Sequence, residues 1–164
     1  MKSNTCCFTG HRSQKLPWGF NEEDERCLIM KEKLTKEIEK AISEGYTHFI
    51  SGMAIGFDMI CAEIVLNLKN KYPFIELECA LPCVGQEKFW NTSLKERYFC
   101  ILNKADKTRC IYNRYVNGCM QERNKYMINN SSRLIALYNG QKGGTQLTIN
   151  YARINGLNVA IIKP

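Results

Sequence analysis

A chain of 164 residues, 45% hydrophobic and 24% charged, has the size and composition of a soluble domain able to bury a core of its own. No run approaches the roughly 20 apolar residues of a membrane span. The start, Met1-Lys2-Ser3-Asn4-Thr5, passes into a strand without a signal-peptide pattern, so one domain over 1–164 in the cytoplasm is expected. The net charge of +7 favours anionic partners, but lysines such as Lys31, Lys36 and Lys69 are scattered, and only basic residues beside a glycine turn carry weight.

Strand-like and helix-like runs alternate along the whole chain. That alternation predicts an α/β, Rossmann-like three-layer sandwich, with a mostly parallel sheet and helices on both faces. The first strand, 5–9, ends in Thr9-Gly10-His11-Arg12. After the turn formers Pro17 and Gly19, a helix opens at Asn21, Glu22 and Glu23. It carries the stripe Leu34, Ile38, Ala41 and Ile42, and Gly45 stops it. A second strand, 47–51, runs into Ser51-Gly52-Met53-Ala54-Ile55-Gly56 and a helix over about 55–71. The third strand is 75–81, with a loop from Pro82 and a helix over about 91–104. The fourth is 108–112, followed by a helix over 118–130. The fifth, 133–138, leads through Gly140-Gln141-Lys142-Gly143-Gly144-Thr145 into a helix over 145–154, and 158–162 makes a last strand.

The nine cysteines contain no C-x-x-C pair. Cys6, Cys7, Cys79 and Cys110 fall in predicted strands, and Cys61 and Cys100 in apolar helix stretches. All are expected as small core residues in a reducing compartment, with no metal site.

The chemistry concentrates in the glycine turns, which a parallel sheet gathers at the carboxyl ends of its strands. In Gly143-Gly144-Thr145 the glycines let backbone N–H groups face a phosphate, and Thr145 caps the helix and offers a hydroxyl; Lys142 favours an anion over a plain tight loop. Asp58, in the first turn of the second helix, serves either the helix dipole or a ribose hydroxyl. Arg12 is suited to clamping phosphate and His11 to hydrogen-bonding it, whereas His48, inside a strand, reads as structural. Met120 and Met127 mark the inward face of their helix, which also carries Arg123 and Asn124. Those polar groups need either neighbouring loops or a ligand. Glu122 is the carboxylate closest to them in sequence. Phe89-Trp90 and Tyr112 with Tyr115 are aromatic pairs for rim packing or base stacking.

Several of these residues, taken in order, resemble the YpsA-like family of the SLOG superfamily, the relatives of DprA/Smf and of the LOG enzymes. They are Thr9-Gly10-His11-Arg12 with Leu16-Pro17-Trp18-Gly19, Ser51-Gly52-Met53-Ala54-Ile55-Gly56-Phe57-Asp58, and Leu81-Pro82 with Gln86 and Trp90. Glu122-Arg123-Asn124 with Met127, and Gly143-Gly144-Thr145, complete the match. The resemblance implies a Rossmann-like fold binding a nucleotide or a derivative such as ADP-ribose, with Gly10, Arg12, Gly52, Gly56, Gly143, Gly144 and Thr145 lining the pocket. LOG enzymes carry Pro-Gly-Gly-x-Gly-Thr-x-x-Glu, whose glutamate serves cleavage of the base–ribose bond. Here Thr148 stands in the glutamate's place, and a hydroxyl cannot replace a carboxylate.

The leading expectation is therefore a nucleotide-binding sensor or regulator needing no cofactor beyond its ligand, with ligand contacts at Thr9, Gly10, His11, Arg12, Ser51, Gly52, Met53, Gly56, Asp58, Arg123, Asn124, Gly143, Gly144 and Thr145. The alternative is an N-glycosidic hydrolase with Glu122 and Arg123 at the reacting bond. A weaker third reading is single-stranded DNA binding, from the DprA kinship and the charge. A homo-oligomer is left open, and no membrane partner is expected.

Overall fold

Alternation of side chains about each strand decides which layer each residue joins. The computed structural model describes residues 2–164. Six strands, β1 (Thr5–Gly10), β2 (His48–Ser51), β3 (Glu76–Cys83), β4 (Lys107–Tyr112), β5 (Arg133–Leu137) and β6 (Asn158–Ile162), form one sheet in the order β4-β3-β2-β1-β5-β6, with every pairing parallel. Five helices join them: α1 (Glu25–Ser43), α2 (Phe57–Leu68), α3 (Thr92–Lys104), α4 (Cys119–Asn129) and α5 (Gly144–Ile154).

Cys6, Phe8, Phe49, Leu77, Cys79 and Ile135 point to one face, where they meet Met30, Leu34 and Ile38 of α1, Met59 and Val65 of α2 and Tyr98 and Ile101 of α3. Cys7, Ile50, Ala80, Leu134 and Ala136 point to the other, against Met127 and Ile128 of α4 and Ile149 and Ala152 of α5. The chain steps outward from β1 to β4, then α4 carries it back so that β5 pairs with the free side of β1. Strand order therefore reverses at β1, and the crevice outside its carboxyl end is where ligands bind in open α/β sheets.

The expected elements are all present, with local differences. α1 starts at Glu25 rather than near Asn21, because Asp24 caps it by accepting from the Arg26 N–H at 2.9 Å. β3 runs through Pro82 to Cys83. β2 has ended at Ser51 opposite Cys79, so one edge of β3 is open there and a residue without an N–H is tolerated. Cys100 and Cys110 are exposed, not core. The sheet edge leaves β4 in solvent, where Lys107 and Arg109 discourage further pairing. All nine cysteines are free. Among the described residues no helix is long and apolar enough to cross a membrane, and no group of side chains is placed to hold a metal ion.

The one carboxylate buried within the sheet is Glu78 on β3. It accepts from Tyr126 Oη of α4 at 2.6 Å, lies 3.0 Å from His48 Nε2 on β2, and is 3.4 Å from Lys107 Nζ on β4. Three strands and a helix are thus tied through one side chain, and His48 is structural as expected. Hydrogen bonding to Glu78, opposed by burial, raises the His48 pKa above its usual 6.5. The stability His48 adds is full below pH 6.5 and fades as pH rises through the raised value. Urea unfolding should show His48→Gln costing most at about pH 6 and little at alkaline pH; a difference from wild type that does not change with pH would contradict this role.

Candidate functional site

Four chain segments close over the carboxyl end of β1. The turn after β1 contributes Thr9, Gly10, His11 and Arg12, followed by a single 3₁₀ turn over Ser13–Lys15. The turn after β2 contributes Ala54 and runs into the first turn of α2, which contributes Asp58, and the facing sides of α4 and α5 supply the wall. Together they enclose a cleft of about 480 Å³. An antiparallel bridge between Arg12 and Gly56 ties the first two turns to one another. Gly56 has φ +97, and a Cβ there would stand 2.6 Å from Ser13 Oγ, so both conformation and space call for glycine.

Arg123, on the buried side of α4, organises the centre. Its Nη1 donates to the Gly52 carbonyl and its Nε donates to Asn124 Oδ1 at 2.8 Å. Asn124 Nδ2 donates to Thr148 Oγ1 at 3.2 Å, and that hydroxyl donates to the Gly144 carbonyl at 3.0 Å. The chain of bonds links the β2 turn through α4 to the start of α5. Gly52 is glycine because a Cβ would come within 2.8 Å of the Arg123 guanidinium. Burial lowers the Arg123 pKa, and the nearby Asp58 carboxylate offsets part of that penalty. Asp58 is itself fully desolvated, which raises its pKa, while Arg123 and the Ala54 N–H, donating to Oδ2 at 3.2 Å, pull it down.

The rim is strongly cationic. Arg12, Lys15, Arg123 and Lys125 line the cleft against the lone carboxylate of Asp58. Among the described residues no carboxylate forms an ion pair with Arg12 or Lys15, whereas Lys125 pairs with Glu122 at 3.3 Å. At the start of α5, Gly143 holds the N-cap position and the first helical bond runs from the Leu147 N–H to the Gly143 carbonyl. The N–H groups of Gly144, Thr145 and Gln146 therefore have no partner within the helix, and with the dipole behind them they suit an anion.

Of the residues expected from sequence, Thr9, Gly10, His11, Arg12, Asp58, Arg123, Asn124, Gly144 and Thr145 meet at the cleft. Ser51, Gly52, Met53 and Gly56 stand behind it, supporting the β2 turn. The Met53 N–H donates to Ser51 Oγ at 3.2 Å, and Ser51 Oγ donates to the Asp58 carbonyl at 2.7 Å. Gly143 lies beside the cleft without lining it. Thr145 is no cap: it sits inside the first turn of α5, and its side chain faces the cleft instead. Glu122, expected at a reacting bond, projects from the outer side of α4 and pairs with Lys125 rather than lining the cleft. Phe89 is exposed and Trp90 packs edge-on to Tyr98, so that aromatic pair belongs to the rim of the α3 layer. Sequence reasoning missed Lys15 and the apolar wall of Met120, Leu147 and Tyr151. The four-residue spacing of Leu147 and Tyr151 after the glycine turn was the available signal.

The sequence profile of the YspA SLOG family matches residues 6–158, and the chain belongs to that family. It is 37% identical to the SPbeta prophage-derived protein YoqJ of Bacillus subtilis (strain 168), over 77% of this chain and 81% of that protein. A UPF0398 protein of Brevibacillus brevis is 29% identical over 77% of this chain and 68% of its own length. The UPF0398 protein YpsA of Bacillus subtilis is 25% identical over 77% and 71%. Among solved structures, DNA processing protein A (DprA) from Streptococcus pneumoniae superposes with a TM-score of 0.63 at 14% identity, covering 98% of this chain but 53% of that one, a likeness of fold.

His11 gives the cleft a titration to follow. Its Nε2 accepts from the Asn139 N–H at 3.2 Å, which places the proton of the neutral ring on Nδ1. Burial lowers its pKa below 6.5; the Asn139 side chain opposes this and Lys15 adds to it. Its contribution to stability is present above pH 6.5 and is lost as pH falls through the lowered value. NMR titration should find His11 ionising below 6.5 with the Asn139 amide shifting at the same midpoint; independent midpoints would show the contact to be incidental.

Proposed function

We propose that this SLOG-family chain binds a nucleotide or a nucleotide derivative such as ADP-ribose in the cleft over β1, and acts as a cytoplasmic sensor or regulator. The observation that carries this reading is the convergence of unpaired Arg12 and Lys15 with the free N–H groups that open α5. A phosphate at that point receives charge-assisted hydrogen bonds from a guanidinium and backbone amides together. The wall of Met120, Leu147 and Tyr151 offers apolar surface for the nucleoside, and Asp58 lies in the same cleft to accept from a ribose hydroxyl.

A second reading, N-glycosidic hydrolysis of such a ligand, is favoured by one feature. The Asp58 carboxyl in the cleft is held above its ordinary pKa by burial, as a proton donor requires. Against it, Glu122 is turned outward, and the Thr148 hydroxyl already bonds to the Gly144 carbonyl and Asn124. Chromatography for free base after incubation with AMP or NAD decides between the two; an inert mixture removes hydrolysis and leaves binding.

Calorimetry with AMP, ADP, ADP-ribose and NAD should show binding at micromolar strength or better for at least one. Arg12→Ala removes an exposed, unpaired side chain, so the fold should persist while affinity falls by roughly tenfold or more, the value of a lost charge-assisted bond. Gly144→Asp, whose added Cβ meets nothing within 4 Å, should fold and lose binding through charge repulsion. No heat with any of the four would refute the reading.

A further inference from the structure

A second hollow, of about 730 Å³, opens beside the cleft at the carboxyl ends of β5 and β6. It is lined by Leu16 and Pro17 from the loop after the 3₁₀ turn, by Tyr138 just after β5, and by Ile161 and Lys163 at the end of β6. The two spaces share one side chain, Lys15, which lines both. Its ammonium lies 3.2 Å from where a Cβ on Gly143 would stand, against the turn that opens α5. The Tyr138 ring packs 5.5 Å from the His11 ring, so an aromatic pair also runs from the cleft to the hollow.

An aromatic ring and the apolar surfaces of Leu16, Pro17 and Ile161 are flanked by the cations Lys15 and Lys163; Gln14, Asn139, Gly140 and Pro164 complete the lining, which holds no side-chain carboxylate. Among the described residues Lys163 forms no ion pair. A flat or sugar-like group linked to a phosphate fits this combination. A mononucleotide seated in the cleft, with its phosphate at α5, leaves the hollow empty.

We propose that the hollow is the second half of the ligand site, so that the preferred ligand is two-ended: a dinucleotide whose phosphate bridge crosses Lys15, with one nucleoside against Leu147 and Tyr151 and the other against Tyr138. This rests on the nucleotide reading above and narrows it. Lys15 then neutralises the bridge where the two spaces meet, and the two apolar walls select for a ligand with rings at both ends.

Calorimetry on the full chain tests it by comparing AMP with NAD and with diadenosine diphosphate. A dinucleotide should bind roughly tenfold or more tightly than AMP, because a second burial and a second cation are engaged. Lys163→Glu, at an exposed position, and Ile161→Trp, which fills the hollow, should each bring dinucleotide affinity down to that of AMP and leave AMP unchanged. Equal affinity for AMP and both dinucleotides, or variants that alter all ligands alike or none, overturns the two-ended site while the nucleotide reading stands. Absence of binding by AMP and by both dinucleotides, with ADP and ADP-ribose silent as well, defeats both.

Discussion

The buried guanidinium of Arg123 is the group around which the cleft is assembled. A charge removed from water in a protein interior is tolerated only where hydrogen bonds and an opposite charge replace the lost hydration. The Gly52 carbonyl, Asn124 and the nearby Asp58 carboxylate meet that demand, the first and last from the β2–α2 connection and the second from α4 itself. The requirement runs both ways. The β2 turn must stay close enough for its carbonyl to reach Arg123, which only a residue without a Cβ at position 52 allows. Asn124 must stay oriented, which Thr148 on α5 secures. The positions of the β2 turn, α4 and the start of α5 are therefore consequences of one desolvated charge.

The charge of the whole molecule then sorts into two populations. Lys69 with Asp106, Lys71 with Glu39, and Arg97 with Glu22 and Glu63 are paired across the helical layers. Exposed pairs of this kind add little stability, but they remove those residues from the list of free cations. Arg12 and Lys15 remain outside any such pair, and both lie at the reversal of strand order beside the amides that open α5. A net charge of +7 spread over a surface says little about partners; two unpaired cations beside a helix N-terminus say much more.

The sheet was legible because its signals are local. Short runs that are buried on both faces, at residues 5–8 and 134–137, the stripe on α1 and the glycines at the ends of β1, β2 and β5 all report on neighbours a few residues away. Tertiary pairing decided the rest. Nothing near Pro82 reveals that β2 has already ended beside it, and nothing near Cys100 or Cys110 reveals that α3 and β4 lie at the sheet edge. Glu122 and Arg123 are adjacent in sequence, yet helical rotation sends one to solvent and the other to the interior, so proximity along the chain misleads about the site. Lys15 had no signal of its own, because its place depends on how the turn after β1 folds towards Gly143.

Thr148 shows how the scaffold takes up a polar side chain at the edge of the cleft. A carboxylate at that point in α5 would face the cleft able to carry charge to a glycosidic bond. The hydroxyl there is instead committed twice, donating to the Gly144 carbonyl and accepting from Asn124. Those bonds brace the first turn of α5, whose opening amides have no partner within the helix, and they join it to Arg123 on α4. Asp58 is then the lone side-chain carboxylate of the cleft lining, buried and bonded to the β2 turn. Chemistry that needs two opposed carboxylates would have to draw its second member from outside this lining, which is otherwise cationic and partly apolar.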